Sequence, residues 1–306
     1  MKLLSKTLTK EPLIISLLLF LFITTIFLSL KSQKEPSALA LSRSTGIGLI
    51  EINGPIAFEM RSTAFSAMGA SHILDQIHAL KKDDAVKGIL IRINSPGGTV
   101  GASQEIYNAL LALKKDRKIP IVVSIADVGA SGAYYVALAG DTIYANPGSL
   151  IGSIGVLIGN INYSELAKKH GVYLNLYKSG PYKDILSSWR ASTDAENQLL
   201  NRLIQDVYGQ FVAAVAEQRQ LSPQITRELA QGQIYTGKAA KTHQLIDQLG
   251  GYNVALTALA SQVGIKGDPT IIKKDKLGFT SFLSAWKDQL SFNWQSLIFP
   301  TMTMTY

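Results

Sequence analysis

Residues 88–98 read GILIRINSPGG, and residues 119–137 read IPIVVSIADVGASGAYYVA. Each stretch opens with β-branched and aliphatic residues and closes in glycines and other small residues, a pattern typical of a buried strand followed by a tight turn. Strand-like and helix-like segments alternate on either side of the two stretches from residue 46 onward. The alternation predicts an α/β fold built on a largely parallel sheet.

The spacing of apolar residues along the chain predicts the bounds of the individual strands and helices. The predicted strands cover residues 46–53, 88–93, 119–125 and 142–145, and the predicted helices cover residues 71–82, 102–113, 131–138 and 194–218. Thr193 and Glu196 stand at capping-box spacing before the long helix, and Ser222 precedes Pro223 at the start of the next helix. No internal repeat is visible, so residues 46–265 form one predicted domain.

Two glycine-bearing loops follow two successive buried strands, at residues 94–98 and 128–133. In a parallel α/β sheet the ends of neighbouring strands meet at one edge, where backbone N–H groups and helix N-termini point outward together. Ser131 lies in the second loop between residues too small to cover its hydroxyl, and it begins an apolar helix. Ser131 is therefore a candidate nucleophile beside amides that receive an oxyanion, or the N-cap of that helix, and the two roles are compatible.

A serine nucleophile needs a base, because its free hydroxyl is almost unreactive at neutral pH. None of the four histidines falls beside a glycine-rich strand end: His72, His78, His170 and His243. Lysine replaces histidine in Ser-Lys variants of the triad when burial keeps its amine neutral. The lysines in unusual settings are therefore the candidates for the base.

Lys183 has the most unusual setting, a Gly-Pro loop at residues 178–184 after a predicted strand that ends near Tyr177. The alternative is an ordinary loop lysine paired with Asp184. Ser153 is a lone hydroxyl in an otherwise apolar predicted strand. A buried hydroxyl requires a hydrogen-bond partner, and a neutral lysine amine would suit it.

The composition excludes several classes of protein and site. The 306 residues are 47% hydrophobic and include no Cys, which excludes a disordered chain, a disulfide framework and a thiolate nucleophile. The net charge of +8 is scattered, so nucleic acid is not an expected partner and anionic lipid is favoured instead. Residues 232–239 resemble a P-loop, but Ala239 replaces the required Ser or Thr. No clustered metal-binding set is present either, so we expect no cofactor and no metal.

The amino-terminal segment predicts a membrane anchor. Residues 12–30 form an uncharged run rich in Leu, Ile and Phe, which predicts one transmembrane helix between a short terminus at residues 1–11 and a linker at residues 31–45. The alternative is a cleaved signal peptide with an Ala-Leu-Ala site at residues 38–40, although the apolar run is longer than such peptides need. Basic residues flank the run about equally, so the charge rule does not fix its orientation.

Five motifs, taken together and in order, resemble the signal peptide peptidases of the protease IV type in their short, single-domain, membrane-anchored form. They are NSPGG at 94–98, ASGAYYVA at 130–137, ANPGSLIGSIGV at 145–156, KSGPYKD at 178–184 and GQIYTGKAA at 232–240. The resemblance covers about residues 46–260. It implies a Clp-protease-like or crotonase-like fold of repeated β-β-α units, which agrees with the α/β prediction.

Carried over to these positions, the resemblance implies Ser131 as the nucleophile, Lys183 as the general base and Ser153 as the hydroxyl that orients the lysine. It also implies an oxyanion hole formed by the amides of Gly98 and Gly132. In the implied mechanism neutral Lys183 takes the Ser131 proton, the alkoxide attacks a peptide carbonyl, and the lysine then protonates the leaving amine. The implied substrates are remnant signal peptides and other apolar peptide segments at the membrane, with no metal or nucleotide.

The resemblance further implies a ring-like homo-oligomer with active sites at subunit junctions, in which a neighbouring subunit supplies the lysine. It implies a single-pass protein of the inner (plasma) membrane, with a cytoplasmic N-terminus and an extracytoplasmic catalytic domain. Two rival functions stay open on the same fold. One is an acyl-CoA hydratase or isomerase, which typically places acidic residues in the pocket, and the other is a catalytically silent scaffold for another membrane protease.

The tail at residues 266–306 departs from the family pattern. Apolar residues recur in it at helical spacing, namely Phe279, Phe282, Leu283, Trp286 and Leu290. We expect this amphipathic segment to pack on the enzyme or on a neighbouring subunit, to contact the membrane interface, or to occupy the active-site groove.

Overall fold

A sheet of eight strands forms the centre of the computed structural model, which describes residues 45–58 and 69–274. The strands are β1 (Gly46–Asn53), β2 (Val86–Ser95), β3 (Ile121–Ala130), β4 (Thr142–Ala145), β5 (Leu150–Gly152), β6 (Ile234–Thr236), β7 (Gln248–Leu249) and β8 (Thr270–Ile272). The first three strands are mostly buried. Their sequences read as near-continuous apolar runs because residues on both faces of the sheet are buried.

Eight helices lie in the described residues. They are α1 (Ala70–Lys81), α2 (Val100–Arg117), α3 (Gly132–Ala137), α4 (Ser164–Lys169), α5 (Asp194–Arg219), α6 (Pro223–Leu229), α7 (Gly237–Thr242) and α8 (Tyr252–Gln262). Thr193 and Glu196 form a complete capping box at the start of α5, and the Ser222 side chain accepts the N–H of Ile225 at the start of α6. Both predicted helix starts are confirmed, because these caps depend only on local sequence.

Strand β3 changes its partner along its length. The sheet order is β6-β5-β3-β2-β1-β8, while β4 pairs with β3 and β7, and every pairing is parallel except that of β5 with β6. Residues 122–125 of β3 pair with β4, whereas residues 128–130 pair with β5. The sheet therefore divides beside the carboxyl end of β3, directly before Ser131.

The two faces of the sheet contribute to different core clusters. Ile89 and Ile91 of β2 belong to a large cluster that also contains the buried apolar residues of α1 and α2. Leu90, which lies between them, belongs to a smaller cluster with Ala255 and Leu259 of α8. Successive residues of a strand point to opposite faces, so helices on both sides require apolar residues at every position.

The predicted α/β fold is confirmed, with corrections at the ends of two strands. β2 continues to Ser95 and β3 continues to Ala130, so the predicted loops at residues 94–98 and 128–133 are partly strand. The extension comes from pairing between strands, since Ser95 pairs with Gly129 and Ala130 pairs with Gly152. Glycine and serine weaken a sequence signal for strand, but such long-range pairing overrides it.

Two further predictions on the body of the chain are wrong. Residues 172–178 belong to no strand of the described structure, and Tyr177 is 95% exposed, so the predicted strand ending near Tyr177 is absent. The sheet also continues past residue 265, because β8 pairs in parallel with β1. The domain therefore extends beyond its predicted end.

In the part of the chain that the structure describes, no helix combines the length and apolar character needed to cross a bilayer. The predicted anchor at residues 12–30 and the apolar residues at 279–290 lie outside the described residues.

Candidate active site

Ser131 occupies a strained backbone position between β3 and α3. Its φ of 55° and ψ of −127° lie where residues with a side chain are uncommon. Its N–H donates to the carbonyl oxygen of Gly152 at 2.8 Å, and its own carbonyl oxygen accepts the N–H of Tyr135 at 3.0 Å. Sheet pairing on one side and the first turn of α3 on the other therefore hold this conformation.

The Ser131 hydroxyl does not serve as a helix cap. Ser131 is the N-cap residue of α3, yet its side chain accepts no N–H of the helix. The residue is only 3% exposed, and Oγ has no hydrogen-bond partner in the described part of the chain. Buried hydroxyls are normally paired, and an unpaired one points to a functional role. The prediction that Ser131 stands at the N-cap of α3 is thus confirmed. The capping hydrogen bond expected from its hydroxyl is absent, because the backbone turns the side chain away.

The loop at Gly97 and Gly98 packs closely on Ile56. Ile56 donates its N–H to Gly97 O at 2.9 Å and accepts the N–H of Thr99 at 2.8 Å. Gly97 adopts a positive φ of 99°, and the Ser95 hydroxyl accepts its N–H at 3.1 Å. A Cβ on Gly98 would overlap the Ile56 carbonyl oxygen. Only glycine therefore permits this approach of two backbone segments.

The amide nitrogens of Gly98 and Gly132 lie beside each other next to Ser131. A Cβ on Gly132 would lie 3.2 Å from the Gly98 nitrogen, and one on Gly97 would lie 2.7 Å from the Gly132 nitrogen and 2.8 Å from the Ser131 Cβ. Within the described residues neither amide donates a hydrogen bond. Two free N–H groups beside a hydroxyl provide the donors that an oxyanion requires.

Aromatic packing fixes helix α3, which begins directly after Ser131. The rings of Tyr107, Tyr135 and Phe211 make successive edge contacts, with centroids 4.9 and 5.2 Å apart, and these contacts join α2, α3 and α5. The Tyr134 hydroxyl donates to Leu245 O at 2.6 Å. Burial raises the pKa of Tyr107 to about 12 and the pKa of Tyr134 further still, so both rings stay neutral.

Ser153 lies one residue beyond β5 rather than inside a strand, which corrects its predicted setting. Its φ is 50°, and its N–H donates to Gln233 O at 2.8 Å. Because Ala130 pairs with Gly152, the backbones of Ser131 and Ser153 are adjacent. Half-buried Ser153 lines a cavity of about 470 Å³ together with residues of α5 and of the loop after α6: Ile204, Gln205, Tyr208, Ala230, Gln231 and Gly232.

Lys183 lies in an exposed turn, which differs from the buried setting that a neutral base requires. Its backbone N–H donates to Gly180 O at 3.2 Å, and its ammonium makes no hydrogen bond or ion pair within the described residues. The alternative pairing with Asp184 is also absent. Asp184 instead binds Lys178 at 2.6 Å and Arg190 at 2.7 Å, and mainly the Arg190 hydrogen bonds hold the pKa of this carboxyl well below its usual range.

The structure thus gathers four of the five predicted site residues. Ser131, Gly98, Gly132 and Ser153 lie around the end of β3, whereas Lys183 makes no hydrogen bond to the Ser131 hydroxyl. No described histidine hydrogen-bonds to that hydroxyl either. Residues 45–58 and 69–274 contain no group of three or more side chains able to hold a metal ion.

Sequence reasoning missed the ion-pair network behind the Lys183 turn. Arg190 binds both Asp184 and Glu196, and its hydrogen bonds lower the pKa of Glu196 to about 2. The capping box had identified Glu196 as a local cap only. Nothing in the sequence around Arg190 indicated that it joins the two carboxylates.

Comparison with known proteins identifies the same region of the chain. The sequence profile described as Peptidase family S49 matches residues 113–266, and the profile described as Clp protease matches residues 60–151. The two matches together include Ser131, Ser153 and Lys183, as well as Gly98 and Gly132.

Three relatives are similar over most of this chain. A protein of Enterococcus faecium provisionally named signal peptide peptidase SppA is 36% identical over 81% of this chain and 72% of its own length. Protease 4 of Salmonella typhi is 34% identical over 65% of this chain and 32% of its own length. The chloroplastic serine protease SPPA of Arabidopsis thaliana is 32% identical over 73% of this chain and 32% of its own length.

Proposed function

This chain is a member of peptidase family S49, and on that premise we propose that it is a membrane-anchored serine endopeptidase that cleaves remnant signal peptides and other apolar peptide segments. The name of the Enterococcus faecium relative supports the signal peptide substrate, and the name of the Arabidopsis thaliana relative supports a serine protease. The proposed peptidase domain, which begins at residue 46, has a Clp-protease-like fold, for which the Clp protease match and the parallel sheet are the support. The expected repeat of β-β-α units is not seen in the described residues, where only β4 and β5 follow one another without a helix between them.

The buried, unpartnered hydroxyl of Ser131 carries this proposal. It lies beside two free amides, at a strained position that pairing and packing hold in place. Energy stored in such a conformation is consistent with a preorganised nucleophile. In the proposed reaction the Ser131 oxygen attacks the scissile carbonyl, and the N–H groups of Gly98 and Gly132 stabilise the oxyanion.

Lys183 is the proposed general base and Ser153 is the hydroxyl proposed to orient it. The lysine takes the proton of the Ser131 hydroxyl as the acyl bond forms, and returns it to the leaving amine as the peptide bond breaks. The same lysine then takes a proton from the water that attacks the acyl carbon, and returns it to the Ser131 oxygen as the ester bond breaks. No step requires a metal or another cofactor.

The exposed setting of Lys183 supports a ring-like homo-oligomer in which each lysine serves the serine of a neighbouring subunit. Large apolar side chains are exposed in the segment that precedes its turn in the chain, including Leu157, Ile161, Leu166, Tyr173 and Tyr177. So many exposed apolar side chains in one segment favour an interface with another protein or a membrane. Association would bury these side chains and remove water from the lysine, which favours its neutral form.

Residues 12–30 are the proposed transmembrane anchor, with residues 1–11 in the cytoplasm and residues 31–45 as a linker. The catalytic domain would lie on the extracytoplasmic side of the inner membrane, in contact with lipid. This position would bring the Ser131 site to apolar peptides released into the bilayer.

Cleavage of a synthetic signal peptide by the full-length, detergent-solubilised protein tests the function. We expect Ser131→Ala and Lys183→Ala to lose activity by at least about 1,000-fold, with an acyl adduct at Ser131 of the wild type only. Mass spectrometry identifies the products and the adduct. Unchanged cleavage by either variant contradicts the proposed dyad, while turnover of an acyl-CoA without peptide cleavage contradicts the peptidase function.

A further inference from the structure

We infer that Arg190 is a positioning residue for Lys183, because its guanidinium joins the turn that carries the lysine to the start of helix α5. This inference rests on the proposed role of Lys183 as the base. The relevant turn is residues 178–190, referred to below as the lysine turn.

Arg190 forms a two-sided clamp. On one side its Nε and Nη2 donate to Oδ2 and Oδ1 of Asp184, each at 2.7 Å. On the other side its Nη1 and Nη2 donate to Oε2 and Oε1 of Glu196 at 2.9 and 2.5 Å. Bidentate arginine–carboxylate pairs are directional as well as strong, so this geometry fixes orientation in addition to distance.

The α5 side of the clamp is buried and held by further hydrogen bonds. Glu196 is 1% exposed, and its Oε2 also accepts the N–H of Thr193 at 2.7 Å as part of the capping box. The carboxylate therefore cannot follow the turn without breaking the start of α5. Removing Arg190 would leave a buried charge without its cation, which is costly.

The clamp holds the turn at the residue next to the lysine. Asp184 follows Lys183 directly, and it also binds Lys178, whose Nζ donates to Pro181 O at 3.1 Å. Asp184 and Glu196 carry two negative charges, and Arg190 and Lys178 carry two positive charges. The cluster is therefore neutral, and the Asp184 carboxylate is occupied by partners other than Lys183.

Helix α5 connects the clamp to the cavity that Ser153 lines. Ile204, Gln205 and Tyr208 of the same helix line the cavity that Ser153 borders. The clamp thus ties the lysine turn to this helix, so the lysine is held on the body of its own subunit when it faces the serine of a neighbouring one. A base must be held within a few tenths of an ångström to transfer protons efficiently, and a turn that is otherwise exposed does not supply that precision by itself.

The test compares Arg190→Gln with wild type and with Arg219→Gln in full-length, detergent-solubilised protein. Arg219 is a matched control, because it also binds an aspartate through two nitrogens but lies at the other end of α5. Its Nη1 and Nη2 donate to the Asp247 carboxylate at 3.0 and 2.7 Å. We expect Arg190→Gln to lower kcat about 10- to 100-fold with KM changed less than about twofold, and Arg219→Gln to leave both within about twofold. Asp184→Asn is the second test, and it replaces Arg190→Gln if that variant fails to fold. It leaves the Arg190–Glu196 pair in place and should lower kcat in the same way.

Hydrogen exchange supplies a second readout. Arg190→Gln and Asp184→Asn should increase exchange in residues 178–190, while exchange in β3 and α3 stays at the wild-type level. A kcat within twofold of wild type for the folded Arg190 or Asp184 variant, or a raised KM at unchanged kcat, overturns the positioning role. If Lys183→Ala itself stays active, the proposed function has failed instead, so the two failures are distinguishable.

Discussion

The backbone N–H of Ser131 donates to the carbonyl oxygen of Gly152 at 2.8 Å, and this bond joins the two strand ends that carry the serine hydroxyls of the site. It continues the pairing of β3 with β5 by one residue. Ser131 is thereby held at a positive φ, its side chain is turned away from the helix start, and Ser153 is brought alongside. The relationship explains how a hydroxyl at an N-cap position remains unpaired.

Relief of backbone strain at Ser131 should be measurable. We expect Ser131→Gly to be more stable than Ser131→Ala by about 1 kcal/mol, because glycine adopts the φ of 55° without the Cβ penalty. Both variants lack the hydroxyl and should be inactive. Urea unfolding of the two proteins provides the measurement, and equal midpoints would mean that the position is not strained.

Substitution of Gly98 should disturb the two amides beside Ser131 and lower both stability and activity. A Cβ there would overlap the Ile56 carbonyl oxygen, so Gly98→Ala must displace one backbone segment. We expect a loss of about 1–3 kcal/mol in stability and at least about 100-fold in kcat. Gly101→Ala is the control, since a Cβ at Gly101 meets no atom within 4 Å, and it should be neutral or slightly stabilising. Near-wild-type turnover by Gly98→Ala would contradict the prediction that the close approach of Gly98 to Ile56 holds this amide in its catalytic position.

The clamp predicts a specific loss of stability in acid. Hydrogen bonds from Arg190 lower the pKa of Glu196 to about 2 from its usual 4.5, so folding favours the ionised form. The stabilisation is complete above about pH 4.5 and is lost as the pH falls towards 2. Thermal unfolding between pH 6 and 2 should therefore show a weaker pH dependence for Glu196→Gln than for wild type. Glu228→Gln, on the exposed side of α6, makes the same charge change and should keep the wild-type slope.

The Tyr134 hydroxyl should contribute to the stability of α3. Its bond to Leu245 O is 2.6 Å long and buried, so Tyr134→Phe leaves a buried carbonyl without this donor. We expect a loss of about 1–2 kcal/mol in the free energy of unfolding. Tyr144→Phe is the comparison, because the Tyr144 hydroxyl makes no hydrogen bond in the described part of the chain. Equal stability of the two variants would contradict the prediction.

The sequence by itself determined the features that depend on short-range patterns. Apolar periodicity placed β1 and β4 at their observed bounds and located the main helices, and the capping residues predicted where α5 and α6 begin. Small residues around Ser131 and glycines at residues 97–98 indicated the edge of the sheet that carries the candidate site. The order of the five motifs was sufficient to indicate the family.

Only the tertiary structure decided the features that depend on residues far apart in the chain. The pairing of Gly129 with Ser95 and Ile151 extended β3 beyond its predicted end and set the backbone of Ser131. The sequence allowed an ion pair between Asp184 and its neighbour Lys183. In the structure the Asp184 carboxylate instead pairs with Arg190 and Lys178. A charged side chain on a turn chooses its partner by the direction in which the folded backbone aims it, and that direction is fixed by contacts that no local pattern encodes.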